Sequence, residues 1–315
     1  MTPRSIVRPH VKIEIATDGF ASVQAVEGNS KRHGTAVRLA SPMLNAPIKW
    51  VGGKKKAREE IVGMIPRHTC YAEPFGGAGW ILFAKAPSDV EVWNDIDGDL
   101  VNFYRVIKTK PEEFMATFEM DLVSREVFEG FRYDDHSRMT DLERAHRFYY
   151  LIMAGWGGEL ALPRLQTAIS DGGHGNRLIG AIKHLRSKIM PVHERLQTVI
   201  IEHLDWREFM ERYDRKGVFM YVDPPYPGNH CNYAHNMRSI EEHRALVDRL
   251  RQAECRWLLT SFDKPEVRRL YDEFQVTPID FASGLVAGDG SRRNREIAVT
   301  NYTVNPTRGQ RTLPD

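Results

Sequence analysis

Asp223-Pro224-Pro225-Tyr226 puts a carboxylate, carbonyls freed from strand pairing and an aromatic ring into four residues. Such a set can accept hydrogen bonds from an amine and hold a flat ring beside it. The apolar run Val218-Phe219-Met220-Tyr221-Val222 precedes it and reads as a buried strand. Two consecutive prolines cannot continue a central strand, so the backbone must leave the sheet there. Proline fixes its own φ at about −65° and pushes the preceding residue out of the helical region. The result is a stiff loop at a strand's carboxyl end, where open α/β sheets bind ligands. An ordinary turn with a surface Tyr is the plain alternative.

A second segment, Cys70-Tyr71-Ala72-Glu73-Pro74-Phe75-Gly76-Gly77-Ala78-Gly79-Trp80, reads as a short strand, a glycine turn and a helix from Ile81 to Lys85. Gly76, Gly77 and Gly79 let the backbone turn sharply and approach a ligand closely. The helix start offers unpaired N–H groups above the turn. The spacing matches neither GxGxxG nor GxxxxGK[ST], so no phosphate clamp is implied. Val90-Glu91-Val92-Trp93-Asn94-Asp95-Ile96-Asp97 is a further apolar run ending in acids. An acid there either accepts from ribose hydroxyls or caps the helix beginning near Gly98. Together these features point to a nucleoside-containing cofactor held without a phosphate site.

The chain resembles the Dam-like DNA adenine-N6 methyltransferases, which use S-adenosylmethionine. Five pieces carry the resemblance, in that family's order. Lys49-Trp50-Val51-Gly52-Gly53-Lys54 is similar to the KWxGGK element, and Glu73 to Gly79 to the EPFxGxG cofactor loop. Asn94 to Asp97 resembles the acidic loop after the second strand, Asp223 to Tyr226 the DPPY loop, and Arg295 to Tyr302 the closing strand. The match runs from Ala46 to Tyr302 and is poor in the middle third.

The resemblance implies that Trp50, Lys54, Glu73, Asp95 and Asp223 line a cofactor pocket floored by Phe75, Gly76, Gly77 and Gly79. It also implies that Asp205 reads the cofactor's adenine, although Asp205 is equally placed to cap a helix starting at Trp206. Trp50 could instead be core, and Lys54 to Lys56 a solvated basic face. Asp223, Pro224, Pro225 and Tyr226 are the implied catalytic set. The carboxylate and the Pro224 carbonyl would localise the lone pair of an adenine N6 amine and stabilise its growing positive charge. Tyr226 would stack the extruded base, worth about 1–3 kcal/mol, against an extrusion cost of a few kcal/mol. Transfer is direct, without metal or covalent enzyme intermediate. Tyr233 and His235 would close over the base. His230, Cys231 and His235 lack the partner spacing of a zinc site.

The elements that must position these residues form an α/β fold. The expectation is a doubly wound, Rossmann-like methyltransferase sheet whose last strand is antiparallel, with a mostly helical inserted target-recognition subdomain. Residues 1–44 read as a weakly structured arm, although Val11 to Ile15 alternates like a strand. Residues 45–110 and 199–305 form the methyltransferase domain, 111–198 the insertion and 306–315 a tail. Helices are expected over 57–65, 99–108, 111–120, 143–154, 177–196, 240–252 and 264–273, and strands over 256–261, 274–277 and 296–302. Arg177 and Lys183 in the insertion, and Arg292 and Arg293 on the closing hairpin, are candidate phosphate contacts. A solvated exterior is the alternative for each. Ala154-Gly155-Trp156-Gly157-Gly158-Glu159 replaces the family's aromatic–Asn–Gly segment, so its four-base target is not carried over.

At 315 residues with 42% hydrophobic content, the chain has ample core for a large domain. A net charge of only +2 means a DNA face must come from segregated basic residues. Three cysteines fit a reducing compartment. With no signal-like start and no apolar run of membrane-spanning length, the expectation is a soluble cytoplasmic protein. The expected partner is double-stranded DNA. A cognate restriction endonuclease, and a monomer or homodimer, stay open. Alternative functions are an inactive DNA-binding relative, a partner-dependent subunit, or methylation of RNA or of cytosine N4.

Overall fold

The computed structural model describes residues 12–15, 21–24, 43–155, 163–165, 177–227, 237, 239–282 and 293–304, which fall into two units, Met1–Ser41 and Pro42–Asp315. In the first unit, β1 (Lys12–Ile15) pairs antiparallel with β2 (Ala21–Gln24). Within the alternation expected over 11–15, Lys12–Ile15 forms a strand, and a ribbon stands within the segment that reads as a loose arm.

In the second unit, α1 (Arg58–Met64) precedes β3 (Cys70–Glu73), and the glycine turn leads into α2 (Trp80–Ala84). The next strand, β4 (Val90–Asn94), ends where Asp97 caps α3 (Gly98–Thr109), accepting from the N–H groups of Asp99 and Leu100 at 3.0 and 3.1 Å. Pro111 starts α4 (Pro111–Ala116), Ser124 caps α5 (Arg125–Tyr133), and a Thr140–Glu143 capping box opens α6 (Asp141–Ala154).

The long helix expected over 177–196 is two helices, α7 (Arg177–Lys183) and α8 (Leu185–Leu196). The backbone leaves helical geometry at His184, with φ −112° and ψ 20°. Then follow β5 (Val199–Glu202), α9 (Trp206–Tyr213), β6 (Val218–Val222), α10 (Ile240–Arg251) and β7 (Arg256–Phe262). The last elements are α11 (Pro265–Leu270), β8 (Gln275–Ala282) and β9 (Arg293–Thr300). α11 is shorter than expected and β8 longer.

The seven strands β3 to β9 form one sheet in the order β5-β4-β3-β6-β7-β9-β8. β5, β4, β3, β6 and β7 are mutually parallel, and β9 runs antiparallel to both β7 and β8. The chain winds outward from β3 to β5, then returns to the centre and winds the other way from β6. The switch point lies between the adjacent carboxyl ends of β3 and β6, which is where such sheets open a crevice. All five residues of β6 are buried, as its apolar run requires.

The inserted helices share the sheet's core. Phe103 of α3 packs on Phe114 of α4 and on Phe148 and Tyr149 of α6, at ring separations of 5.4–5.9 Å. Next to the edge strand, Arg195 of α8 grips buried Glu91 of β4 with two bonds of 2.5 and 2.7 Å, and Lys85 adds a third at 2.5 Å. Among the described helices none is long and apolar enough to cross a membrane.

Candidate active site

The crevice is built first by a buried carboxyl at the end of β3. Glu73 Oε1 accepts from the Tyr71 hydroxyl at 2.5 Å and from the Leu82 N–H at 3.0 Å, tying α2 to the strand. Burial lifts its carboxyl to about 8, so it is largely protonated at neutral pH. Beyond it the chain turns through glycines that nothing larger could replace. A Cβ on Gly76 would lie 2.0 Å from the Trp93 indole nitrogen, and Gly77 and Gly79 have φ of +49° and +67°. The Gly76 N–H donates to the Asn94 carbonyl at 2.7 Å, so strand and turn lock together.

One acid and one amide hold this turn against its neighbours. Asp95 accepts from Gly77 N–H through Oδ2 at 2.8 Å and from Asp97 N–H through Oδ1 at 2.9 Å. Burial raises its carboxyl to about 6 despite these bonds. Fully buried Asn94 donates to the carbonyls of Pro74 and Leu204 and accepts from the Leu204 N–H at 2.8 Å. It thereby joins the loops after β3 and β5. Asp205, next in line, is the N-cap of α9, accepting from Arg207 N–H at 2.9 Å, and its side chain is exposed on the crevice wall. The cap reading is therefore the observed contact, and cavity lining accompanies it.

Across the switch point stands the Asp223 loop. Both oxygens of Asp223 are engaged. Oδ1 accepts from Thr260 Oγ1 at 2.6 Å, and Oδ2 faces Lys54 Nζ at 2.8 Å. Thr260 in turn lies 3.1 Å from the buried Tyr221 hydroxyl. Lys54 is 5% exposed and also donates to the Gly52 carbonyl at 2.8 Å. It is therefore not part of a solvated basic face. Tyr226 is 7% exposed. Its hydroxyl donates to Glu296 Oε2 at 3.0 Å, Phe262 packs edgewise at 4.6 Å, and Lys54 Nζ stands 4.9 Å over the ring. Tyr226 is thus a braced and nearly covered ring rather than the surface Tyr of an ordinary turn.

The cavity enclosed by these walls measures about 440 Å³, within the usual range for a small-molecule site. It brings together Trp50, Lys54, Glu73, Phe75, Gly76, Gly77, Asp95, Asp205, Asp223, Pro224, Pro225 and Tyr226. Gly79 is buried just behind it, at the start of α2. Seven acids line it (Glu73, Asp95, Asp97, Asp205, Asp223, Glu242 and Glu296) against two bases, Lys54 and Arg207. With Glu73 protonated, the remaining acids still outnumber the bases, a balance that suits a cationic ligand over a polyphosphate.

Thr260, Tyr221, Asn94 and Glu296 were not picked out as site residues. The available signal was a polar side chain interrupting an apolar strand, as in Leu258-Leu259-Thr260 and Glu296-Ile297-Ala298. Arg177 and Lys183 do not line the cavity and lie exposed on α7. Tyr233, His235 and Arg292 lie outside the described residues, as do His230 and Cys231, and Arg293 is placed only as the start of β9.

Residues 50–281 match the profile of a protein family described as D12 class N6 adenine-specific DNA methyltransferase. The type II methyltransferase M1.LlaDCHI of Lactococcus lactis subsp. cremoris is 28% identical over 271 residues, covering 81% of this chain and 94% of that protein. The DNA adenine methylase of Escherichia coli strain K12 is 24% identical over 270 residues, with the same coverage. A DNA adenine methylase of Vibrio cholerae serotype O1 is 26% identical over 264 residues, covering 79% of this chain and 92% of its own.

Proposed function

This chain belongs to the D12 class of N6 adenine-specific DNA methyltransferases, and on that premise we propose that the cavity between β3 and β6 is where methyl donor and target adenine meet. The reaction is transfer of a methyl group to adenine N6 in DNA, and the donor is S-adenosylmethionine. When bound, that cofactor supplies an electrophilic methyl on a sulfonium centre.

The residues present suit such a group. The acid-rich lining favours a cation, and the Cβ-free turn at Gly76 and Gly77 leaves room for a nucleoside to lie against backbone. Trp50 and Phe75 form apolar walls, Asp95 holds the turn in shape, and exposed Asp205 offers an acceptor to an adenine amino group. Glu73, already bonded on Oε1, supports the loop from beneath.

The chemistry belongs to the loop after β6. Asp223 and the Pro224 carbonyl accept hydrogen bonds from the target amine, drawing its lone pair out of the ring and stabilising positive charge as the nitrogen attacks. Thr260 holds Oδ1, so the carboxylate meets the amine preorganised. Tyr226 is the stacking partner of the extruded base. No bond to the protein forms at any stage. Arg177 and Lys183 contact backbone phosphates of the duplex from α7. The reading extends to a cytoplasmic protein, acting alone or beside a cognate restriction endonuclease.

The observation that carries this reading is a doubly anchored carboxylate at the switch point, facing a glycine turn across a nucleoside-sized cavity. The test is Asp223→Ala, assayed with labelled S-adenosylmethionine and mixed-sequence duplex DNA. Removing one preorganised electrostatic group is expected to cut transfer by at least about 10²-fold, while calorimetry still detects cofactor binding. Near-normal methylation by this variant would sink the assignment.

A further inference from the structure

Glu296 is a buried carboxyl where its visible contact needs only a neutral acceptor. It sits on β9 opposite Phe262 of β7, 8% exposed, and accepts from the Tyr226 hydroxyl. A neutral amide could take that hydrogen bond without the cost of burying a carboxylate. Burial pushes the Glu296 carboxyl up, and the Lys54 ammonium draws it back down. The neighbour that makes its charge useful is therefore Lys54.

Lys54 has three N–H donors. Two are committed, to the Gly52 carbonyl and to Asp223 Oδ2, each at 2.8 Å. Glu296 Oε2 stands 4.0 Å from the same nitrogen, within reach of a rotation at the end of the lysine chain. With Lys54 on Oδ2 and Thr260 on Oδ1, Asp223 is neutralised and has little left to offer an amine that is becoming positive.

We propose that Glu296 is the second seat of the Lys54 ammonium: as the target amine approaches, Nζ moves its hydrogen bond from Asp223 Oδ2 to Glu296 Oε2. Oδ2 is then free to accept from the amine, while Thr260 keeps Oδ1 in place. The positive charge of Lys54 is balanced one step farther from the reacting nitrogen. Glu296 is thus a positioning residue, acting through Lys54 and Asp223. This rests on the role proposed above for Asp223.

The test compares single-turnover methyl transfer by the full chain and its variants, with duplex DNA and labelled S-adenosylmethionine both saturating. Glu296→Gln keeps an acceptor for Tyr226, so the melting temperature and cofactor affinity are expected to stay close to those of the parent chain. Its transfer rate is expected to fall at least about tenfold, an effect on kcat rather than on binding. Glu296→Asp, which restores the charge, should recover part of that rate.

A Glu296→Gln rate equal to the parent's, or a loss carried wholly by weaker cofactor binding, overturns the inference. Asp223→Ala is the control. If it stays active, the whole site reading fails; if it is dead while Glu296→Gln is normal, only this inference fails. Should Glu296→Gln not fold, a crystal structure of the unaltered chain with S-adenosylhomocysteine and duplex DNA decides the matter. Lys54 Nζ is expected within about 3.2 Å of Glu296, and an ammonium still seated on Asp223 overturns the exchange.

Discussion

Asp223 and Glu73 are both acids at strand ends, and their surroundings set them to opposite tasks. Asp223 is held by Thr260 and Lys54 at the cavity, whereas Glu73 is 1% exposed and its carboxyl is lifted to about 8, chiefly by burial. The folded chain therefore holds the Glu73 proton more tightly than the unfolded chain, whose value is 4.5. By linkage this contribution to stability is fully present below 4.5 and is lost as pH rises toward about 8. Glu73→Gln, an isostere that keeps an acceptor for Leu82, is expected to flatten that decline. Urea midpoints at pH 6 and pH 9 would check it, and an unchanged difference between the two pH values would refute the assignment. The identity of the acids was legible because each follows an apolar run. The protonation of Glu73 was not, because it depends on burial that only the packed fold supplies.

At the scale of elements, caps and turns did most of the placing. Pro111, Thr140 with Glu143, and Ser239 with Glu242 start α4, α6 and α10 by local chemistry that sequence alone displays. The break at His184 was not legible, since apolar spacing continues across it from Leu178 to Leu196. Asp205 shows how one residue serves an element and a site together. Serine caps about as well as aspartate, so Asp205→Ser should keep stability within about 0.5 kcal/mol. The shorter, uncharged hydroxyl is a weaker acceptor for the adenine amino group that the carboxylate is proposed to hold. S-adenosylmethionine affinity by calorimetry is accordingly expected to drop about tenfold, or about 1.4 kcal/mol. Wild-type affinity in this variant would reduce Asp205 to a cap.

At the scale of the whole molecule, the chain divides into two compact units, Met1–Ser41 and Pro42–Asp315. Deleting residues 1–41 is therefore expected to shift the melting temperature by less than about 3 °C, under roughly 1 kcal/mol, and to leave cofactor affinity as it was. A larger loss in scanning calorimetry would show that the ribbon supports the sheet. The insertion differs: Arg195 on α8 pairs with buried Glu91 on β4, and Phe103 packs on α4 and α6, so these helices cannot be parted from the sheet without opening its core. By itself the sequence determined the strand–glycine–helix unit, the proline-locked loop and the capped helix starts, because each follows from neighbouring residues, whereas the antiparallel last strand was legible only through the family resemblance of Arg295 to Tyr302. Only the tertiary structure decided that Lys54 would be buried against Asp223, that Thr260 and Glu296 would join them, and that Tyr226 would be covered. Those five groups come from four stretches of chain, and only the winding of the sheet about the β3–β6 switch point brings their side chains together.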